Sequence, residues 1–117
     1  MKVAKFGGSS VSTADQIKKV LNIVNSDEDR RIIIVSAPGK RHKEDVKTTD
    51  LLIRLYEKVI DDLDYISKKE EIIQRYADII YELDMSDNLL TTIDQTLENF
   101  ITTLKDKPSR LCFTFMW

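Results

Sequence analysis

Lys5-Phe6-Gly7-Gly8-Ser9-Ser10 is the stretch whose reading decides the fold, because one kind of structure ends there and another begins. Residues Lys2 to Phe6 form a short apolar-rich run, and the two glycines and two serines stop it, the pattern of a buried strand closed by a turn. Thr13 followed by Gln16 has the spacing of a capping box, and Ile17, Val20, Leu21 and Val24 then recur at helical intervals. Asp27-Glu28-Asp29-Arg30 is a polar break. Ile32-Ile33-Ile34-Val35 is β-branched throughout, with no polar alternation, which predicts a strand covered on both faces. Strand, helix and strand in this order predict a right-handed crossover and a parallel pair, with Gly7-Gly8 and Ser36-Ala37 on one edge. Ligands of open α/β sheets bind at such an edge.

The texture changes from Thr48 onward. Leu52, Leu55, Val59 and Leu63 mark a helix face that Thr48 or Thr49 is placed to cap. Ile72, Ile73, Tyr76, Ala77, Ile80 and Leu83 trace a second stripe. Leu90, Ile93, Leu97, Phe100, Ile101 and Leu104 trace a third, which Lys107-Pro108 stops. The expected class is therefore α/β: a two-stranded start followed by a helical excursion in residues 48–105, with a sheet too small to stand alone. No repeat, low-complexity stretch or Pro/Gly-rich linker divides the chain, so residues 1–117 read as one domain or part of one.

Composition narrows the partners. In 117 residues, 42% are hydrophobic and 32% charged, the balance of a globular segment with a modest core. Eighteen basic against twenty acidic residues give a net charge of −2, which provides no polycationic footprint for nucleic acid or an anionic membrane. The apolar runs are too short to span a bilayer and the first residues lack the pattern of a signal peptide, so the cytoplasm is the expected compartment. A single cysteine, Cys112, forms no internal disulfide, and no Cys/His cluster has metal-site spacing.

At the strand-to-helix junction each residue type has a chemical use. Gly7 and Gly8 carry no Cβ, so backbone N–H groups there can approach phosphate oxygens, and Ser9 and Ser10 add donors beside a helix start. Lys5 would neutralise charge on a transferring phosphoryl group. A plain turn with a solvated lysine accounts for the same residues, and neither a Walker A loop nor a dinucleotide fingerprint is present. Ser36-Ala37-Pro38-Gly39 follows the second strand and Thr49-Asp50 opens the next helix, so Ser36 and Thr49 offer hydroxyls near the same edge for a small polar substrate. Taken alone, they read as a turn serine and an N-cap threonine.

Together these blocks resemble the aspartate kinase branch of the amino acid kinase family. Lys5-Phe6-Gly7-Gly8-Ser9-Ser10, Val35-Ser36-Ala37-Pro38-Gly39-Lys40-Arg41 and Thr49-Asp50-Leu51-Leu52 are similar to its first three blocks, in the same order and at suitable separations, and the resemblance extends to Arg110. It implies the amino acid kinase fold, a mostly parallel sheet between helices, of which this chain is the incomplete N-terminal portion of the catalytic domain. It also implies ATP-dependent phosphorylation of the β-carboxylate of L-aspartate to 4-phospho-L-aspartate, the step towards lysine, threonine and methionine, with Mg2+ bridging the phosphates. On this resemblance Lys5 is the catalytic lysine and also a nucleotide contact. Gly7, Gly8 and Ser9 line the nucleotide phosphates, Ser36 and Thr49 contact aspartate, and the intact enzyme is homo-oligomeric.

The family continues with a glutamate block, an arginine and Gly-Gly-Ser-Asp block, an adenine pocket and regulatory domains that this sequence lacks. Its apolar tail, Leu111 to Trp117, stands where the glutamate block would approach, either an orphaned core strand or a partner-binding patch. A truncated or frameshifted chain with little or no kinase activity is the expectation. Two alternatives remain: another family member acting on glutamate, carbamate or a nucleoside monophosphate, or a non-catalytic interaction module built on the three helices. Lys40-Arg41-His42-Lys43 reads as a solvated loop, His42 as exposed, and Asp61, Asp62 and Asp64 as a charged surface without calcium-loop spacing.

Overall fold

The structure, a computed structural model, describes residues 1–106; the expectations for Lys107-Pro108, Cys112 and the tail from Leu111 lie outside them. The elements run β1 (Lys2–Phe6), a short 3-10 turn (Gly8–Val11), α1 (Ala14–Asn25), β2 (Arg30–Val35), α2 (Thr48–Ile60), α3 (Ile66–Glu82) and α4 (Asn88–Asp106). Among the described residues this is the expected α/β arrangement, a parallel two-stranded sheet with four helices. The chain forms two compact units, residues 1–49 and the helical stretch from Asp50 onward, and α2 starts in the first and continues in the second.

In the first unit β1 and β2 pair in parallel, Val3 opposite Ile32 through Phe6 opposite Val35, after an irregularity between Lys2 and Val3. The ladder continues beyond the strands, where the Ser36 N–H donates to the Phe6 carbonyl at 3.0 Å. Thr13 caps α1 as its spacing predicts: the Gln16 N–H donates to its Oγ1 at 3.3 Å, satisfying one of the orphan donors of the first turn. Val11, Ala14 and Val20 are buried, while Leu21, from the predicted stripe, is 51% exposed. The expected cover of β2 is not met among the described residues, since Ile32, Ile33, Ile34 and Val35 are 37 to 57% exposed. A two-stranded sheet has too few neighbours to bury both faces of a strand whose sequence is apolar throughout.

The second unit follows its helical periodicity closely. Leu51, Leu52, Leu55 and Val59 are buried on α2, Ile72 and Ile80 on α3, and Leu97, Phe100, Ile101 and Leu104 on α4. Two details differ from the sequence reading. Leu63 falls beyond the end of α2 and is exposed, because Asp62 takes a left-handed conformation (φ 55°) and the Leu63 N–H returns to the Lys58 carbonyl at 2.8 Å, closing the helix. Arg75, which the apolar stripe does not anticipate, is buried on α3. Burial also raises the Tyr76 hydroxyl above the usual phenol range.

Lys69 of α3 ties that helix to α4 through the Glu98 and Asp94 carboxylates, the latter at 3.0 Å. The Glu98 hydrogen bond, with Asp94 adding to it, holds Lys69 above the ordinary lysine range against the opposing effect of burial.

Candidate functional site: a glycine-floored cleft

The C-terminal edge of the strand pair is built from backbone packed against backbone. Gly8 and Gly39 face each other, and the Gly39 N–H donates to the Gly8 carbonyl at 2.8 Å. A Cβ on Gly8 would stand 3.0 Å from the Ala37 oxygen, and one on Gly39 would stand 2.8 Å from the Gly8 carbonyl carbon and 2.9 Å from the Ser9 nitrogen. A side chain at Gly39 would therefore force backbone to move, and one at Gly8 would need its backbone neighbours to give by a few tenths of an ångström. Gly7 differs: its added Cβ would meet nothing within 4 Å, and its φ of −74° is open to any residue. The turn is pinned further by the Ser10 N–H to the Gly7 carbonyl at 3.1 Å and by the buried Ser12 hydroxyl to the Ser9 carbonyl at 2.9 Å.

The loop after β2 is held from the other side. The Thr48 N–H donates to the Pro38 carbonyl at 3.1 Å, and Arg41 grips the Asp45 carboxylate with its backbone N–H at 2.9 Å and its guanidinium at 2.7 and 3.1 Å. Thr48 is fully buried and its hydroxyl makes no hydrogen bond, and α2 begins at Thr48 itself, so neither Thr48 nor Thr49, the two expected caps, stands at the N-cap position.

Between these two anchored loops lies a cleft of about 490 Å³, lined by Gly8, Ser9, Ser36, Ala37, Pro38, Gly39, Lys40, Lys47 and Thr49. Its size suits a small-molecule ligand. Four residues singled out from the sequence, Gly8, Ser9, Ser36 and Thr49, come together here. Lys5 and Gly7 do not line it: Lys5 is exposed on β1, opposite Ile34 in the ladder, and Gly7 precedes the turn.

Sequence reading passed over Gly39 as a turn glycine, Lys40 as part of a solvated loop, and Lys47 altogether. No local signal set them apart, since each lies near a strand edge only in sequence and joins the cleft through the way the loops meet. The lining supplies hydroxyls, backbone and cations, a donor set for oxyanions.

Comparison with known proteins bears on the fold and the family. The profile of the amino acid kinase family matches residues 1–101. Aspartokinase 3 of Bacillus subtilis is 39% identical over 110 residues, which are 94% of this chain and 24% of that protein. The chloroplastic aspartokinase 2 of Arabidopsis thaliana is 42% identical over 59 residues, 50% of this chain and 10% of its own length. Among solved structures, the aspartate kinase of Clostridium acetobutylicum superposes with a TM-score of 0.79 at 36% identity, over 90% of this chain and 23% of that one. E. coli aspartokinase III, solved in complex with aspartate and ADP, superposes with a TM-score of 0.68 at 29% identity, over 89% of this chain and 21% of its own. The chain thus spans less than a quarter of the length of each of these relatives. With the family profile matched across nearly all of the described residues, the chain belongs to the amino acid kinase family.

Proposed function

We propose that this chain is the N-terminal, phosphate- and aspartate-binding portion of the catalytic domain of an aspartate kinase. The intact enzyme would transfer the γ-phosphoryl group of ATP to the β-carboxylate of L-aspartate, giving 4-phospho-L-aspartate for lysine, threonine and methionine synthesis in the cytoplasm, as a homo-oligomer. One observation carries the reading: the turn after β1 and the hydroxyls of Ser36 and Thr49 meet in a single cleft at the strand edge. The aspartokinase relatives support it, one of them solved with aspartate and ADP.

The division of labour follows from the residue types. Gly7, Gly8 and Ser9 present backbone and hydroxyl donors to the nucleotide phosphates, and Ser36 and Thr49 hold the amino acid by its polar groups. Lys5, on the strand leading into the turn, stabilises the charge of the transferring phosphoryl group. In-line transfer needs little covalent help from the protein, so positioning and charge are the main contributions. No carboxylate lines the cleft, and the described residues hold no cluster of acidic, His or Cys side chains suited to a metal. These residues do not form a Mg2+ site of their own, and the ion that accompanies ATP would be carried by its phosphates.

The test extends the chain to the length of its relatives. There Lys5→Ala should abolish ADP release while calorimetry still shows aspartate binding, and L-aspartate should bind in preference to L-glutamate. Unchanged turnover in the Lys5 variant, or preference for glutamate, would refute the assignment. The 117-residue chain by itself should show little or no aspartate-dependent ADP release.

A further inference from the structure

Lys40 and Lys47 both line the cleft, and none of its other lining residues is acidic. Among the described residues neither lysine has a carboxylate partner, whereas Lys2, Lys68 and Lys69 each face one. Asp45, the acidic residue nearest to both in sequence, is engaged by Arg41. Each lysine also leaves from anchored backbone: Lys40 directly follows Gly39, bonded to Gly8, and Lys47 directly precedes Thr48, bonded to Pro38. A cation whose backbone is already fixed loses less entropy on binding, and a concave wall concentrates its field.

We propose that Lys40 and Lys47 are a cation pair that binds a multiply charged oxyanion in the cleft, each donating to its oxygens beside the hydroxyls of Ser9, Ser36 and Thr49. The proposal rests on the reading of this cleft as the phosphate- and aspartate-binding site. The oxyanion is either the phosphate end of a nucleoside triphosphate or the carboxylates of an amino-acid diacid.

The test uses the 117-residue chain with 13C-labelled lysine side chains. Inorganic tripolyphosphate is titrated in one arm and L-aspartate in the other, while NMR follows the lysine signals. Saturable shifts of Lys40 and Lys47, with Lys18 and Lys19 of α1 unmoved, are expected in at least one arm, and the responding arm identifies the source of the oxyanion. Lys40→Met and Lys47→Met should each weaken that binding about tenfold, the scale of one charge-assisted hydrogen bond. Lys18→Met should leave it unchanged. Because both cleft lysines are exposed, the variants should keep the wild-type amide spectrum.

Undiminished binding in both Met variants overturns the pair. If Gly7→Ala loses tripolyphosphate at the same time, the glycine cradle survives without the lysines. Loss in the Met variants with none in Gly7→Ala upholds the pair and removes the cradle. No response of the wild-type chain in either arm overturns both.

Discussion

Between Asp50 and Asp106 the chain stabilises itself by burying side chains, with Leu55, Ile72, Ile101 and Leu104 only 0 to 2% exposed, whereas in residues 1–49 only Val11, Ala14 and Val20 are buried among the apolar residues and the apolar strand β2 lies open. The first unit instead brings backbone close against backbone, at Gly8 and Gly39 and along the β1–β2 ladder. The two regions illustrate different uses of sequence. A helical core tolerates many residue types of similar volume. A cleft floored by peptide groups depends on the absence of side chains at particular positions.

The sharpest way to break this contrast is to remove volume from the helical unit. Leu104→Ala and Leu55→Ala should each destabilise it by about 2 to 5 kcal/mol, since both side chains are fully buried and the cavity left behind closes only partly. Ile33→Ala on β2 should cost under about 1 kcal/mol, because its side chain is already 37% exposed. Amide hydrogen exchange, read separately for α2 to α4 and for the strand pair, would check both. Equal losses for Leu55→Ala and Ile33→Ala would end the distinction.

Adding volume to the first unit is the complementary test. Gly39→Ala should destabilise the strand pair by about 1 to 3 kcal/mol, as its Cβ would enter the space of the Gly8 carbonyl carbon and the Ser9 nitrogen, and Gly8→Ala should follow in the same direction. Gly7→Ala should be neutral to slightly stabilising, because its space is open and its backbone is ordinary. Any loss of phosphate binding in Gly7→Ala would then report on the ligand and not on the fold. A stability loss for Gly7→Ala as large as that for Gly39→Ala would show that the two glycines are not divided between ligand and fold.

How much of this was legible in the sequence differs between the same two regions. The helical stripes at Leu52-Leu55-Val59 and Leu97-Phe100-Ile101-Leu104 needed only the 3.6-residue period, and the buried side chains fall on them. The strand pair and the Thr13 cap were equally readable. The cleft was read in part. Gly8, Ser9, Ser36 and Thr49 stand beside strand ends, but nothing local distinguishes Gly39, which packs against Gly8, from a turn glycine, or Lys40 and Lys47 from solvated lysines. Those assignments depend on which loops meet, and meeting is a property of topology. The exposure of β2 was misread for the same reason, because an apolar strand records the need for cover and not whether the described residues supply it.

The Lys69 clamp offers a smaller effect. Lys69→Met should cost about 1 kcal/mol near neutral pH, since the ion pair with Asp94 and Glu98 is only partly shielded. Its pH dependence has a definite sign. The folded-state pKa of Lys69 is raised above the ordinary lysine value of 10.5, so the stabilisation is fully present below that value and disappears as pH climbs through the higher folded value. Urea midpoints of wild type and variant should therefore converge only in strong alkali. Convergence near neutrality would show that the pair contributes packing alone.

The smallest expected effect is a gain. Asp84, the residue after the Leu83 C-cap of α3, has φ 55°, with the Asp84 N–H donating to the Tyr81 carbonyl at 3.1 Å and the Met85 N–H to the Ile80 carbonyl at 3.0 Å. These bonds satisfy carbonyls of the last helical turn and require a left-handed residue between them, a conformation that strains every side chain and glycine least. Asp84→Gly should raise the urea midpoint by the equivalent of a few tenths to about 1 kcal/mol, the unfolded-state entropy of glycine offsetting part of the relief. The site makes the mirror image of Gly39: one glycine is excluded from change by what surrounds it, and one aspartate invites glycine by the shape of its own backbone. A fall in stability for Asp84→Gly would mean that its carboxylate holds the turn, and the helical unit would then depend on a residue at one position as strictly as the first unit depends on Gly39.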